Sequence, residues 1–201
     1  MQHIITQPYT REKLAALKTG DRVLLSGTIY AARDTAHRRL VELIEEGREL
    51  PFELKGAIVY YMGPTPAKPG YPSGSAGPTT SYRMDSFTPA LLDKGLIGMI
   101  GKGPRGREVV EAAKAHGAVY FAAIGGAAAL IAGSIKSSEV VAFAELGTEA
   151  VRRIEVENMP LVVALDSSGR DIYEIRPGLS QNRSFLTFSQ ENDILAKMFL
   201  L

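Results

Sequence analysis

Leu96-Ile-Gly-Met-Ile100, Gly101-Lys-Gly-Pro-Arg-Gly106 and Arg107-Glu-Val-Val-Glu-Ala-Ala-Lys-Ala115 follow one another without interruption, and their reading decides the fold. The first is an apolar run of strand length. The second is a Gly/Pro turn. The third places Val109, Val110 and Ala113 on one face at helical spacing. The unit is therefore strand, turn, helix, and it repeats on both sides. Downstream, Ala118–Ile124 predicts a buried strand that turns at Gly125-Gly126 into a small-residue helix, followed by a strand over Glu139–Leu146. Upstream, Thr10 caps a helix to Lys18, and a strand over Arg22–Ala31 runs through Arg33-Asp34 into a helix whose apolar positions are Ala36, Leu40, Leu43 and Ile44. In that reading Asp34 caps the helix and Gly47 closes it. A strand over Ala57–Met62 and a helix over Thr88–Lys94 complete the alternation.

Alternation of this kind predicts an α/β fold, a mixed sheet flanked by helices. Beyond residue 150 the rhythm changes. Arg153–Glu157, Leu161–Asp166 and Asp171–Ile175 read as short strands with an Asp-Ser-Ser-Gly turn between the last two, which suggests an antiparallel addition. An amphipathic helix is expected over 189–199. With no repeat and no clean linker, residues 1–201 are expected to form a single domain.

Composition narrows the chemistry. The chain is 45% hydrophobic and 22% charged, in the globular range, and 23 basic against 22 acidic residues leave a net charge of +1. No whole-molecule field draws in nucleic acid or a membrane surface, so anion recognition must be local. There is no cysteine, which removes thiolate nucleophiles, disulfides and iron–sulfur ligation from this chain's own side chains. His3, His37 and His116 are scattered, so no self-contained metal site is expected. Ala118–Ile135 is uncharged, but its alanines and glycines fit a strand and a packed helix better than a membrane span. The opening residues lack a basic patch followed by an apolar run, and the expected compartment is the cytoplasm.

Residues 63–85 hold four glycines and five prolines in 23 positions, which excludes regular structure over most of their length. A loop this long inside a compact domain is a candidate site. Its end, Gly77-Pro78-Thr79-Thr80, sets two hydroxyls beside Arg83 and Asp85. The alternative is a capped short helix with a surface Arg83–Asp85 pair. Gly101-Lys102-Gly103 joins backbone N–H groups to an ammonium, a local anion site but not a nucleotide P-loop. Arg33-Asp34 lies where a strand becomes a helix, with His37 one turn later as a structural or supporting histidine. Arg33, Arg83 and Lys102 together suit a dicarboxylate. On the residues alone the reading stops there.

The run Gly63-Pro-x-Pro-x-x-Pro-Gly-x-x-x-Gly-Ser-Ala-Gly-Pro-Thr-Thr-x-x-Arg-Met-Asp85 resembles the signature of the β subunit, or equivalent C-terminal domain, of class I iron–sulfur fumarases and tartrate dehydratases. Gly27-x-Ile-Tyr-x-x-Arg-Asp-x-Ala-His37, Met99-Ile-Gly-Lys-Gly103, Glu145-Leu-Gly147 and Met159-Pro160 extend the resemblance over nearly the whole chain. It implies a swivelling β/β/α-type fold. It also implies a partner α subunit whose cysteines hold a [4Fe–4S] cluster, whose open iron binds substrate, and which joins this chain in an α2β2 assembly. By the same resemblance Arg33, Arg83 and Lys102 bind substrate carboxylates, and Thr79 is the candidate base that removes the C3 proton of malate. Asp34, His37, Thr80 and Asp85 are candidate supporting residues. The expected function is hydration of fumarate to (S)-malate and its reverse; tartrate dehydration and a non-catalytic anion-binding scaffold are the alternatives.

Overall fold

The computed structural model describes residues 1–67, 69–123 and 128–175. In these residues seven strands form one sheet: β1 (Gln2–Thr6), β2 (Arg22–Ala31), β3 (Ile58–Tyr60), β4 (Gly98–Gly101), β5 (Val119–Ala122), β6 (Ile135–Ala142) and β7 (Val151–Leu165). Their order is β1-β2-β3-β4-β5-β7-β6, and a further pairing of β2 with β7 closes β2, β3, β4, β5 and β7 into a barrel. β2 through β5 are parallel neighbours, and β7 runs antiparallel to both β2 and β5. Among the described residues six helices accompany them: α1 (Arg11–Ala15), α2 (Asp34–Glu45), α3 (Thr88–Asp93), α4 (Arg107–His116), α5 (Ala128–Ser134) and α6 (Ile172–Ile175). The fold is the α/β class expected, a mixed sheet with flanking helices.

Strand alternation explains the two cores. Ile58, Tyr60, Ile100 and Phe121 point into the barrel with Leu25, Ile29, Ile154 and Met159. Their chain neighbours Val59, Tyr61, Met99 and Tyr120 point outward, beneath Leu40 of α2, Leu91 and Leu92 of α3, and Val109 and Ala113 of α4. Both faces of β3, β4 and β5 are therefore dry, which is why these strands are near-continuous apolar runs.

Several sequence expectations shift. Residues 151–165 are one strand rather than two, because Asn158 takes φ +51 and Pro160 pairs opposite Leu24, so β7 bends along β2 without breaking. β6 begins four residues before the expected strand and ends at Ala142, where Phe143 adopts φ +55 and a 3₁₀ turn over Ala144–Glu149 begins. The turn after Leu165 is present, but only Asp171 pairs back before α6. Asp34 does not cap α2: Arg33 occupies the cap without a side-chain bond, and Asp34 itself has φ +36. The first N–H groups are served from elsewhere, Thr35 N–H donating to Glu149 Oε2 at 3.0 Å. The helix expected over 189–199 lies outside the described residues.

Candidate active site

Because β2, β3 and β4 are parallel and adjacent, their C-terminal ends open on one edge of the sheet, where ligands of α/β folds are received. Arg33 follows β2, Gly63 follows β3 and Lys102 follows β4. The Pro/Gly loop leaves from this edge and returns to it. Tyr60 donates its hydroxyl from the barrel interior to the Ala76 carbonyl at 2.5 Å, Pro78 bridges to Met62, and Thr79 N–H donates to the Tyr61 carbonyl at 2.7 Å. Thr80 then pairs in parallel with Lys102. The loop is thus pinned at its end, and Thr79 is set between the ends of β3 and β4.

There Arg33 Nη1 donates to Thr79 Oγ1 at 3.4 Å, while Arg33 Nη2 lies 3.8 Å from Glu149 Oε1. Burial works against the charge on Glu149, but hydrogen bonds from Thr35 and the nearby guanidiniums of Arg33 and Arg83 outweigh it and hold the carboxyl below its ordinary range. Arg83 Nη2 meets Asp34 Oδ1 at 2.7 Å, so its carboxylate partner is Asp34 and not Asp85. Gly63 has to be glycine for this packing. A Cβ there would stand 2.7 Å from Arg33 Nε and 2.8 Å from the Thr148 carbonyl.

Asp85 faces inward instead. Its Oδ1 accepts from Arg105 Nε at 2.7 Å and its Oδ2 from Gly106 N–H at 2.6 Å. Arg105 also donates to Thr88 Oγ1 at 2.8 Å and lies over the rings of Tyr61 and Tyr120, its side chain wholly buried. Desolvation opposes its charge, yet Tyr61, Tyr120 and Asp85 together hold its pKa above the ordinary value. Around the same turn runs a chain of bonds: Lys102 N–H to Ser81 Oγ at 3.0 Å, Ser81 Oγ to Tyr120 Oη at 2.9 Å, and Tyr120 Oη to the Gly103 carbonyl at 2.9 Å. Sequence reading missed Arg105, Ser81, Tyr61, Tyr120 and Glu149. The Gly-Lys-Gly-Pro-Arg-Gly turn contains the only signal, an arginine between proline and glycine.

His37 is also turned inward, fully buried and edge-on to Tyr61 at 5.2 Å between ring centres. Neither ring nitrogen has a partner among the described residues. Burial first, then the neighbouring Arg105 charge, push its pKa down to about 3, so the ring is neutral. The structure therefore brings Arg33 to Thr79, Arg83 to Asp34, and Thr80 to Lys102, and it sends Asp85 and His37 into the layer beneath. No group of three His, Cys, Asp or Glu side chains suited to a metal ion occurs among the described residues, and the sequence has no cysteine to ligate an iron–sulfur cluster. Among those residues no helix is long and apolar enough to cross a membrane.

Comparison with known proteins matches this chain to a family. The model described as Fumarase C-terminus matches residues 2–175. The anaerobic class I fumarate hydratase of Escherichia coli K12 is 44% identical over 164 residues, covering 81% of this chain and 30% of that protein. Fumarate hydratase 2 of Leishmania major is 43% identical over 165 residues, 81% of this chain and 29% of its own length. A Methanocaldococcus jannaschii protein named as an L(+)-tartrate dehydratase β subunit is 42% identical over 171 residues, 82% of this chain and 88% of its own. The chain spans less than a third of the two fumarate hydratases but matches most of the third protein. It belongs to the Fumarase C-terminus family, whose relatives here carry the names of hydro-lyases.

Proposed function

We propose that this chain, as one domain over 1–201, is the β subunit of a two-chain hydro-lyase that interconverts (S)-malate and fumarate plus water. The observation that carries the reading is the Arg33–Thr79 contact of 3.4 Å at a sheet edge that also presents Arg83 and Lys102. A threonine hydroxyl is ordinarily far too weak an acid to work as a base near neutrality. A guanidinium on its oxygen stabilises the alkoxide, and exclusion of water by a covering partner strengthens that effect. In this reading Arg33, Arg83 and Lys102 receive the two carboxylates, and Thr79 takes the C3 proton while the C2 hydroxyl departs with help from the partner. Among the described residues the cation whose hydrogen bond reaches Thr79 Oγ1 is Arg33, so in this reading Arg33 activates it.

This chain has no cysteine to ligate a [4Fe–4S] cluster, so in this reading the cluster belongs to a cysteine-bearing α subunit. Tyr82, 65% exposed beside Arg83, is an apolar surface for that partner to cover. A tartrate substrate is the second reading, favoured by the near full-length match to the Methanocaldococcus jannaschii chain. The test is co-expression with the cysteine-bearing partner, anaerobic reconstitution, and parallel assays of malate, fumarate, tartrate and methylated analogues. Turnover of malate by the pair and none by this chain alone is expected. Turnover by the pure chain, or none of any substrate by the reconstituted pair, overturns the reading.

A further inference from the structure

A groove of about 350 Å³ lies beside the candidate site but contains none of Thr79, Arg83 and Lys102. One wall is the Pro-rich loop, with Pro64, Pro66, Pro72 and Ser73; the other is the sheet, with Ser138 of β6 and Arg152 of β7. The pairing of β6 with β7 explains the second wall. Val140 stands opposite Arg152, and Ser138 is two residues from Val140 and so on the same face. Glu139 and Arg153, one residue further along each strand, pair with each other at 2.8 Å on the opposite face.

Three polar atoms at this groove are buried and have no partner among the described residues: Arg152 Nε, Ser138 Oγ and Ser73 Oγ. All three can donate a hydrogen bond, and Arg152 is the one charged residue among the groove's lining residues. Of the two acids three residues away in sequence, Glu149 is already engaged by Thr35 and Arg33, and Glu155 accepts from Thr28 Oγ1. Buried donors left unpaired are costly, so a groove whose lining residues hold three of them is a place suited to acceptors. The volume is of the size that small molecules occupy.

We propose that this groove is an anion site separate from the one at Thr79, receiving the carboxylate or phosphate group of a small molecule on Arg152 Nε, Ser138 Oγ and Ser73 Oγ. A guanidinium with two hydroxyls matches the oxyanion edge common to both groups. The two sites share a wall. Arg33 fills the space beside Gly63 and the Thr148 carbonyl, and Pro64 and Thr148 line the groove. Occupancy of the groove is therefore felt at Arg33, whose own buried Nε also has no partner among the described residues. The proposal does not depend on the hydro-lyase reading.

The test is titration of the full chain with inorganic phosphate and, separately, with malonate, followed by calorimetry and by amide shifts at residues 138–152. Saturable binding of at least one probe is expected. Arg152→Gln should weaken it by about tenfold or more, the loss of one charge-assisted contact, while Arg83→Gln leaves saturable binding at the groove in place. Ser138→Val, which suits a strand, serves as the second variant should Arg152→Gln fail to fold, and should weaken binding in the same way. Tight binding of phosphate with none of malonate assigns the site to phosphate-bearing ligands, and the reverse assigns it to carboxylates. Unchanged affinity in Arg152→Gln or Ser138→Val, loss only in Arg83→Gln, or no saturable binding of either probe overturns the proposal.

Discussion

Ser81 grips the backbone of Lys102 from both sides, its Oγ accepting the Lys102 N–H at 3.0 Å and its own N–H donating to the Lys102 carbonyl at 2.9 Å. The 3₁₀ turn over Ser81–Met84, which carries Arg83, and the loop that carries Lys102 are therefore one mechanical unit. Close approach makes this possible: a Cβ at Gly101 would collide with Ser81 Oγ. Ser81→Ala leaves the Lys102 N–H without its side-chain acceptor. It should cost about 1–3 kcal/mol in urea unfolding and speed hydrogen exchange at the Lys102 amide. Unchanged exchange would show that the loop is held by other contacts.

Arg105 is the second fastening of the same loop. Removing its guanidinium leaves Asp85, whose side chain is only 9% exposed, without its cation. Arg105→Met should destabilise the chain by about 3–5 kcal/mol. Adding Asp85→Asn to it should cost less than the sum of the two single changes, because the second change removes the stranded charge. Arg105→Lys keeps the charge but cannot serve Asp85, Thr88 and Tyr61 together, and should fall between. Additive costs in the double variant, read from urea midpoints, would mean the pair is not coupled.

How far this architecture could be read in advance depends on the range of the forces involved. β2 and α4 stand in the sequence at or within one residue of their observed limits, since each shows its own period and its own punctuation. β1 carries no such signal, because among its five residues only Ile5 is buried and its place is set by parallel pairing with β2. Barrel closure is equally silent, resting on β7 continuing through Asn158 and Pro160 to reach both β2 and β5. Arg33, Arg83 and Lys102 stand out as cations beside turns and hydroxyls. Arg105 does not, because its partners Asp85, Tyr61 and Tyr120 come from three distant segments and a turn arginine is ordinarily solvated.

His37 gives a pH signature of its own. Its folded pKa of about 3 lies below the usual histidine value of 6.5, so below pH 6.5 the unfolded chain binds a proton that the folded chain refuses. Stability contributed by the neutral ring is fully present above pH 6.5 and is lost as the pH falls toward 3. The slope attributable to this one group approaches about 1.4 kcal/mol per pH unit within that window. His37→Phe, which preserves the edge-on packing against Tyr61, should flatten the curve by that amount. Equal slopes in the two proteins between pH 6 and pH 4 (about two units of the window) would place the ring in contact with water.

Substitutions at Thr79 and Arg33, assayed in the reconstituted pair, separate binding from chemistry at the contact between them. If Thr79 is the base, Thr79→Ala should lower kcat by about 10²–10⁴-fold with little change in KM, and Thr79→Ser should recover part of the loss. Arg33→Ala should raise KM by about 10–100-fold, the loss of one charge-assisted contact to a carboxylate. It should do something further that a purely binding cation would not. The guanidinium sits on Thr79 Oγ1, so without it the alkoxide is harder to form, and kcat should climb to higher pH before levelling. A variant that changes KM alone, with the pH profile of kcat unmoved, would leave Arg33 as a carboxylate ligand and require another group to activate the hydroxyl.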